Sequence, residues 1–280
     1  MIRERVAEDV YIFTSETYAQ VNAGAVVGPE WAIVIDTLAY PEESQEIREF
    51  IEEKLGLPVR YLINTHYHAD HSLGNIWFPN AIIVSNELCR DLLNTKGRIA
   101  LEEAKQQNRE LAEVEIVLPD VTFEDGFVGL RTGKRTLRMV PLPGHSIDGL
   151  GVLVVEDNVL FSGDIMMPVP YILDGDIDLM NETLKSLAKF KLENLVQGHG
   201  EVILRGEVQN AVKNNLNYLA IIRKHAKIAL RRKDPDGYLN GIDVESCGKS
   251  RILLNGLAEE LHRRNLFGLY QKLKDDKKES

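Results

Sequence analysis

Long apolar runs are missing from this sequence. The longest, such as Ile82 to Val84 and Val152 to Val155, fall far short of a bilayer's thickness, which argues against a membrane-spanning chain. Residues 1–13 lack the apolar stretch of a signal peptide. Cysteine is scarce. Cys89 and Cys247 stand alone with no CxxC pair, so a disulfide framework is excluded and a reduced, cytoplasmic setting is expected. Positive charge is in deficit, with 33 Lys and Arg against 43 Asp and Glu and a net charge of −10, which works against a nucleic-acid partner held by overall charge. No internal repeat is evident. What remains is an ordinary globular composition over 280 residues, 44% apolar and 27% charged, long enough for one or two domains with a full core.

Short β-branched and aromatic runs dominate the first half. Val10 to Thr14, Ala19 to Val27, Trp31 to Asp36, Val59 to Ile63 and Ala81 to Val84 read as strands. Pro41 opens a helix to about Leu55, with Ile47, Phe50, Ile51 and Leu55 on one face. Asn86 to about Glu113 is a polar helical stretch broken at Gly97. Val121 to Leu142 reads as hairpins turning at Glu124-Asp125-Gly126 and Thr132-Gly133-Lys134. Strands follow at Gly151 to Val155, Val159 to Phe161 and Leu195-Val196, with a helix at Leu179 to Phe190. From Glu207 onward the pattern is helical, with Val212, Leu216, Leu219, Ala226 and Leu230 as a stripe, and residues 271–280 read as a charged tail that frays. The division expected is a β-rich domain at 1–206 and a helical C-terminal extension at 207–280 packed on it.

The chemistry concentrates in Asn64 to Asn75, NTHYHADHSLGN. In an extended segment, residues two apart point the same way, so His66, His68 and Asp70 converge while His71 reaches a second position. Imidazole nitrogens and a carboxylate are donors that zinc or iron accepts. Further donors stand in glycine-flanked loops downstream: His145 in PGHS, Asp164 in FSGD and His199 in QGHG. Five of the seven histidines thus lie in loops beside glycine or beside one another. His225 and His262 fall on helices and take no part.

This series, HxHxDH followed by PGH, SGD and GHG, resembles the metallo-β-lactamase-fold superfamily across roughly residues 8 to 205. The resemblance implies an αββα four-layer sandwich, a mixed α/β fold of two mixed β-sheets flanked by helices, with the metals at one edge. It implies His66, His68 and His145 on one metal, Asp70, His71 and His199 on a second, and Asp164 bridging both. Asp36, ending WAIVID, matches an aspartate that supports the site from behind its ligands. Two Zn2+ are the implied cofactors, with iron or manganese as the alternative. Two metals about 3.5–4 Å apart can share a hydroxide and stabilise the anion that develops on a substrate. Asp70 is a further candidate for orienting that hydroxide or taking its proton.

Departures within the superfamily narrow the activity. His68 replaces the glutamate of di-iron flavoprotein relatives. Asp164 stands where dedicated β-lactamases carry Cys or Ser. The final motif GHGE is not the GHEYT of glyoxalase II, and the GCGRxDF-like stretch of persulfide dioxygenases is missing. Met166, Met167, Pro168, Pro170, Tyr171 and Ile172 follow the bridging Asp and are expected to line an apolar pocket, which suits an acyl or lactone substrate better than a phosphate. Tyr171 is placed to reach a substrate carbonyl, whereas Tyr67 and Trp77 read as loop packing. Arg223, Lys227 and Arg231 recur at helical spacing and read as a solvated face rather than an anion contact. The expected activity is a di-metal hydrolase cleaving an ester, thioester or lactone. The alternatives are a mono-iron dioxygenase acting on a thiol or persulfide and a phosphodiesterase or nuclease. The expected partner is a small-molecule substrate, with no membrane and no nucleic acid, and a homodimer is left open.

Overall fold

The computed structural model describes residues 1–124 and 126–279. The chain opens with three antiparallel strands, β1 (Ile2–Ala7), β2 (Val10–Thr14) and β3 (Asn22–Val27), continued by β4 (Ala32–Ile35). Helix α1 (Pro41–Glu49) starts at its proline and runs on through a wider turn to Lys54, where Leu55 N–H reaches back to Phe50 O. Strand β5 (Val59–Ile63) then pairs parallel to β4. A one-turn helix α2 (Ala69–Ser72) precedes β6 (Ile82–Asn86). The polar stretch after β6 forms α3 (Glu87–Leu92) and α4 (Arg98–Gln107), joined through a wider turn at Leu93–Gly97. Strand β7 (Val121–Phe123) completes a seven-stranded sheet ordered β1 to β7.

The second sheet contains β8 (Val128–Thr132), β9 (Arg135–Pro141), β10 (Leu150–Val154), β11 (Val159–Phe161), β12 (Asn194–Val196) and β13 (Ile203–Leu204), in that spatial order. Helix α5 (Ile177–Leu187) is the crossover between the parallel strands β11 and β12. After β13 come α6 (Val208–Ala229), α7 (Pro235–Asn240) and α8 (Ala258–Glu279).

Period-two burial explains the layers. Val10 and Ile12 of β2, with Ile33 and Ile35 of β4, face Val152, Val154 and Phe161 of the second sheet and form the central core. The intervening Phe13 and Val34 turn outward and pack on Ile47, Phe50 and Ile51 of the first helix. On the far side, Leu160 and Leu195 meet Met180 and Leu184 of α5, Leu219 and Ile222 of α6 and Leu266 of α8. The result is the expected αββα sandwich.

Four local differences have physical causes. Strand β1 was not anticipated: its Arg3, Glu4 and Arg5 are exposed on a sheet edge, where charge deters further pairing and hides the strand pattern. The Gly133-Lys134 turn joins β8 to β9 as expected. The turn expected around Glu124-Asp125-Gly126 includes Asp125, which lies outside the described residues, and its flanking strands β7 and β8 belong to different sheets rather than to one hairpin. The two-residue β13 is too short to carry a pattern. Residues 271–279, expected to fray, continue α8 as helix, with Gln271, Asp275 and Lys278 bonded along one face.

Candidate metal centre

One end of the sandwich gathers every loop that the sequence singled out. Asp36 follows β4, His66 to His71 follow β5, His145 follows β9, Asp164 follows β11 and His199 follows β12. The loop after β5 is tied at both ends. Asn64 and Asn75 exchange side-chain amide bonds at 2.9 Å, and Tyr67 N–H donates to Asp148 at 2.8 Å. Two glycines make room for the rest. Gly144, at φ +144, passes so close to Met180 that a Cβ would lie 2.5 Å from its Cα. A Cβ on Gly198 would lie 1.7 Å from Asp164 Oδ1.

All seven candidate residues converge, in two groups. The first is His66, His68, His145 and Asp164; the second is Asp70, His71 and His199. Within each group the donor atoms lie within 4.8 Å of one another. The expected extended run ends with β5 at Ile63, and residues 65–67 bend. Helix α2 begins at Ala69, so its turn swings Asp70 away from His66 and His68 and toward His71 and His199. Asp164 reaches both groups: its Oδ2 lies 3.3 Å from His145 Nε2 and 3.4 Å from His199 Nε2, and its Oδ1 lies 3.2 Å from His71 Nε2. Other separations are 3.1 Å between His66 Nε2 and His68 Nδ1 and 3.3 Å between His199 Nε2 and Asp70 Oδ2. Donors surrounding one ion at about 2.1 Å stand roughly 3.4 Å apart, which matches these edges.

The residues present therefore fit metal ions. His71 Nε2 and Asp164 Oδ1 are buried and have no hydrogen-bond partner among the described residues, which is costly unless something else satisfies them. The opposite ring nitrogens are all engaged: His71 with Asp36 Oδ2 at 2.9 Å, His66 with Thr65 Oγ1 at 3.1 Å, His68 with Asp174 Oδ2 at 3.2 Å, His145 with Tyr171 O at 2.8 Å and His199 with Ala19 O at 3.0 Å. Each outer partner engages one ring nitrogen and turns the other toward the centre, where a metal ion would take the place of any proton on it. Asp36 is itself held by Thr65 N–H at 2.8 Å and by the Thr65 hydroxyl at 2.7 Å.

Charge within the cluster is uneven. Burial holds His66 well below its usual pKa and His145 at about 4, so both are neutral donors. Burial acts the same way on His71 and His199, but Asp164 and Asp70 outweigh it, raising His71 well above the ordinary value and His199 to about 10. Burial alone would raise the Asp164 carboxyl; the imidazoles of His199, His71 and His145 hold it well below the usual range.

A cavity of about 520 Å³ opens over the cluster. Met167 and Tyr171 line it, and the Tyr171 ring lies 6.2 Å from that of His145. The rest of the expected wall turns elsewhere: Met166 and Ile172 enter the core under the C-terminal helices, Pro168 lines a different cavity, and Pro170 gives its carbonyl to Asn265. Tyr67, expected only to pack, also lines the cavity, and its hydroxyl donates to Asp174. Trp77 packs beside the first helix as expected. Sequence reasoning missed much of the cavity lining, including four polar residues, Asp174, Lys96, Tyr18 and Arg264. Asp174 braces His68 and pairs with Lys96 at 3.6 Å. Tyr18 stands beside Asp70, which pushes its phenol up to about 12. Arg264 hydrogen-bonds Tyr171 from α8. None of these carried a sequence signal, because each depends on a chain segment distant from the motifs.

The other residues that the sequence singled out lie away from the cluster. His225 bonds the Tyr238 hydroxyl, and His262 sits between Tyr218 and Ile242 O. Burial pushes the Cys89 thiol up, which leaves it inert. Arg223, Lys227 and Arg231 line a groove between α5 and α6 that includes none of the seven cluster residues, and Arg223 pairs there with Asp178. No helix among the described residues is long and apolar enough to cross a membrane.

This geometry agrees with comparisons to known proteins. The chain is 26% identical over 173 residues to a thioesterase, pkgB, of Emericella nidulans, covering 61% of this chain and 43% of that protein. It is 24% identical to a type 2 metallo-beta-lactamase of Pseudomonas aeruginosa over 71% of this chain and 77% of that protein. Several curated relatives are matched over only about half their length. In three dimensions it superposes on a metallo-beta-lactamase from Pontibacter korlensis with a TM-score of 0.62 at 22% identity, covering 78% of this chain and 98% of that one. The sequence profile of the metallo-beta-lactamase superfamily matches residues 17–199, a span that takes in all seven cluster residues, and the chain belongs to that superfamily.

Proposed function

We propose that this protein is a metal-dependent hydrolase that cleaves an ester, thioester or lactone of a small molecule, with two metal ions, zinc foremost, held by the seven clustered residues. One observation carries the reading: Asp164 touches both donor groups, so a single carboxylate is positioned to tie two ions together. The similarity to a fungal thioesterase supports a carbonyl substrate. Ions held there supply an acidified water and a Lewis acid for the carbonyl oxygen. The protein's own groups do the rest. Asp70, 18% exposed at the cavity floor, accepts the proton of the attacking water and returns it to the leaving thiol or alcohol. The new carbon–oxygen bond replaces the carbon–sulfur or carbon–oxygen bond, so water is consumed and an acid is released. Tyr171 donates its phenol hydrogen to the carbonyl oxygen as charge grows there.

The test is metal quantification on purified protein, followed by turnover of matched ester, thioester, lactone, phosphodiester and β-lactam compounds. Two ions per chain with turnover confined to the ester, thioester or lactone is the expected result. One iron per chain with oxygen uptake on a thiol or persulfide would replace this reading with a dioxygenase. Turnover of the phosphodiester alone would replace it with a phosphodiesterase.

A further inference from the structure

The cavity over the cluster is polar at one end and mixed elsewhere, with Lys96, Asp174 and Arg264 among apolar side chains. His68, Asp70, His145, Asp164 and His199 supply the polar end. Much of the apolar lining comes from beyond the superfamily match at 17–199: Leu254, Leu257 and Leu261, in the turn before α8 and in its first helical turn. These leucines are not spare core residues. Leu254 is 1% exposed and Leu257 half-buried, yet neither joins the apolar clusters among the described residues; Leu261 only edges onto one.

The backbone under Leu254 is forced. Leu254 and Asn255 both adopt left-handed conformations, at φ 55 with ψ 42 and φ 55 with ψ 33, and Gly256 follows at φ 91. Asparagine and glycine tolerate this region, whereas leucine seldom enters it. Strain of this kind persists where surrounding structure holds a side chain in a required place. Here that place is the cavity wall. A second apolar stretch completes the lining with Leu93, Ala100 and Ile116, from the helices after β6 and the loop beyond them.

We propose that Leu254, Leu257 and Leu261 form a binding site for the apolar acyl group of the substrate, so that the C-terminal section selects which carbonyl compound reaches the cluster. This rests on the hydrolase reading above. A volume of 520 Å³ lies within the range of sites that enclose a whole small ligand, about 300–1,000 Å³, which leaves room beyond the reacting carbonyl. A short acyl group would leave Leu257 and Leu261 facing water, while a medium chain would cover them.

The test uses thioesters of N-acetylcysteamine from acetyl to dodecanoyl, with calorimetric binding of octanamide to protein stripped of metal by a chelator. Burial of one methylene is worth about fourfold in affinity. With partial burial, kcat/KM is expected to rise about a hundredfold from acetyl to octanoyl. In Leu257→Ala and Leu261→Ala, both at half-buried positions, the octanoyl-to-acetyl ratio should fall at least tenfold, with octanamide binding weakened to match and thermal unfolding still cooperative. A flat acyl series with measurable turnover and no octanamide binding would overturn the acyl site and leave the hydrolase reading standing. Octanamide binding that the variants weaken, with no turnover of any thioester, ester or lactone, would uphold the site and overturn the hydrolase reading. Neither binding nor turnover would overturn both.

Discussion

Asn265 on α8 is hydrogen-bonded to both chain neighbours of the cavity residue Tyr171: its side-chain oxygen accepts the Ile172 N–H at 3.0 Å, while its amide donates to Pro170 O at 2.6 Å. The carboxamide thus brackets Tyr171, whose carbonyl accepts from His145 Nδ1 at 2.8 Å. Asn265→Ala leaves the Ile172 and Pro170 backbone groups unpaired at about 1–3 kcal/mol each. Urea unfolding should register that loss. Metal affinity should also drop, because the carbonyl that orients His145 is no longer fixed. An Asn265→Ala protein that is less stable but binds metal with wild-type affinity would show that α8 supports the fold alone.

Asp164→Asn keeps the shape of the side chain that touches both donor groups and removes its charge. Metal content should fall below the wild-type ratio after dialysis, and turnover should drop by orders of magnitude. Mass spectrometry of the native protein and a single-substrate assay check both. Full metal content with near-normal turnover would contradict the bridging role.

Tyr171→Phe removes one phenol hydrogen from the cavity wall. A positioned donor to a developing oxyanion is worth about 2.7–4 kcal/mol of barrier, so kcat should fall about a hundredfold or more with metal content unchanged. If only stability changes, the Arg264 contact is the sole use of that phenol.

Lys249 offers a test of pH dependence remote from the cluster. Its ammonium donates to Asn215 Oδ1 at 2.5 Å, and burial lowers its pKa from 10.5 to about 8. Between those values the unfolded chain holds a proton that the folded chain has released, so this residue makes stability rise with pH from about 8 to 10.5. Below that window both states are protonated and the penalty is constant. Unfolding free energies measured across the window should therefore climb less steeply in Lys249→Met than in the wild type.

The sequence was most readable where chemistry and spacing coincide. His66, His68 and His71 fall within six consecutive positions, and the glycines beside His145, Asp164 and His199 mark turns at strand ends, so these donors announced themselves. Their grouping was readable from the family resemblance, which put Asp70 with His71 and His199, but not from spacing. Period two placed Asp70 with His66 and His68, but the helical turn beginning at Ala69 overrode it. The cavity wall was legible only at Met167 and Tyr171. Asp174, Tyr18 and Arg264 are ordinary loop or helix residues by composition, and only packing between distant segments brings them to the site. Strand β1 was hidden for the opposite reason: its charges suit an edge and mask a strand.

The split origin of the donors bears on how the protein is assembled. Asp70, His66, His68 and His71 hang from the first sheet, while His145, Asp164 and His199 hang from the second. Ions held by both sets would cross-link the two sheets as a staple. The staple can form only after the sheets have docked, since the donors span residues 66 to 199 and few such long-range contacts exist early in folding. Loading would then follow folding and lock it, and each tenfold excess of free ion over its dissociation constant would add about 1.4 kcal/mol against separation of the sandwich.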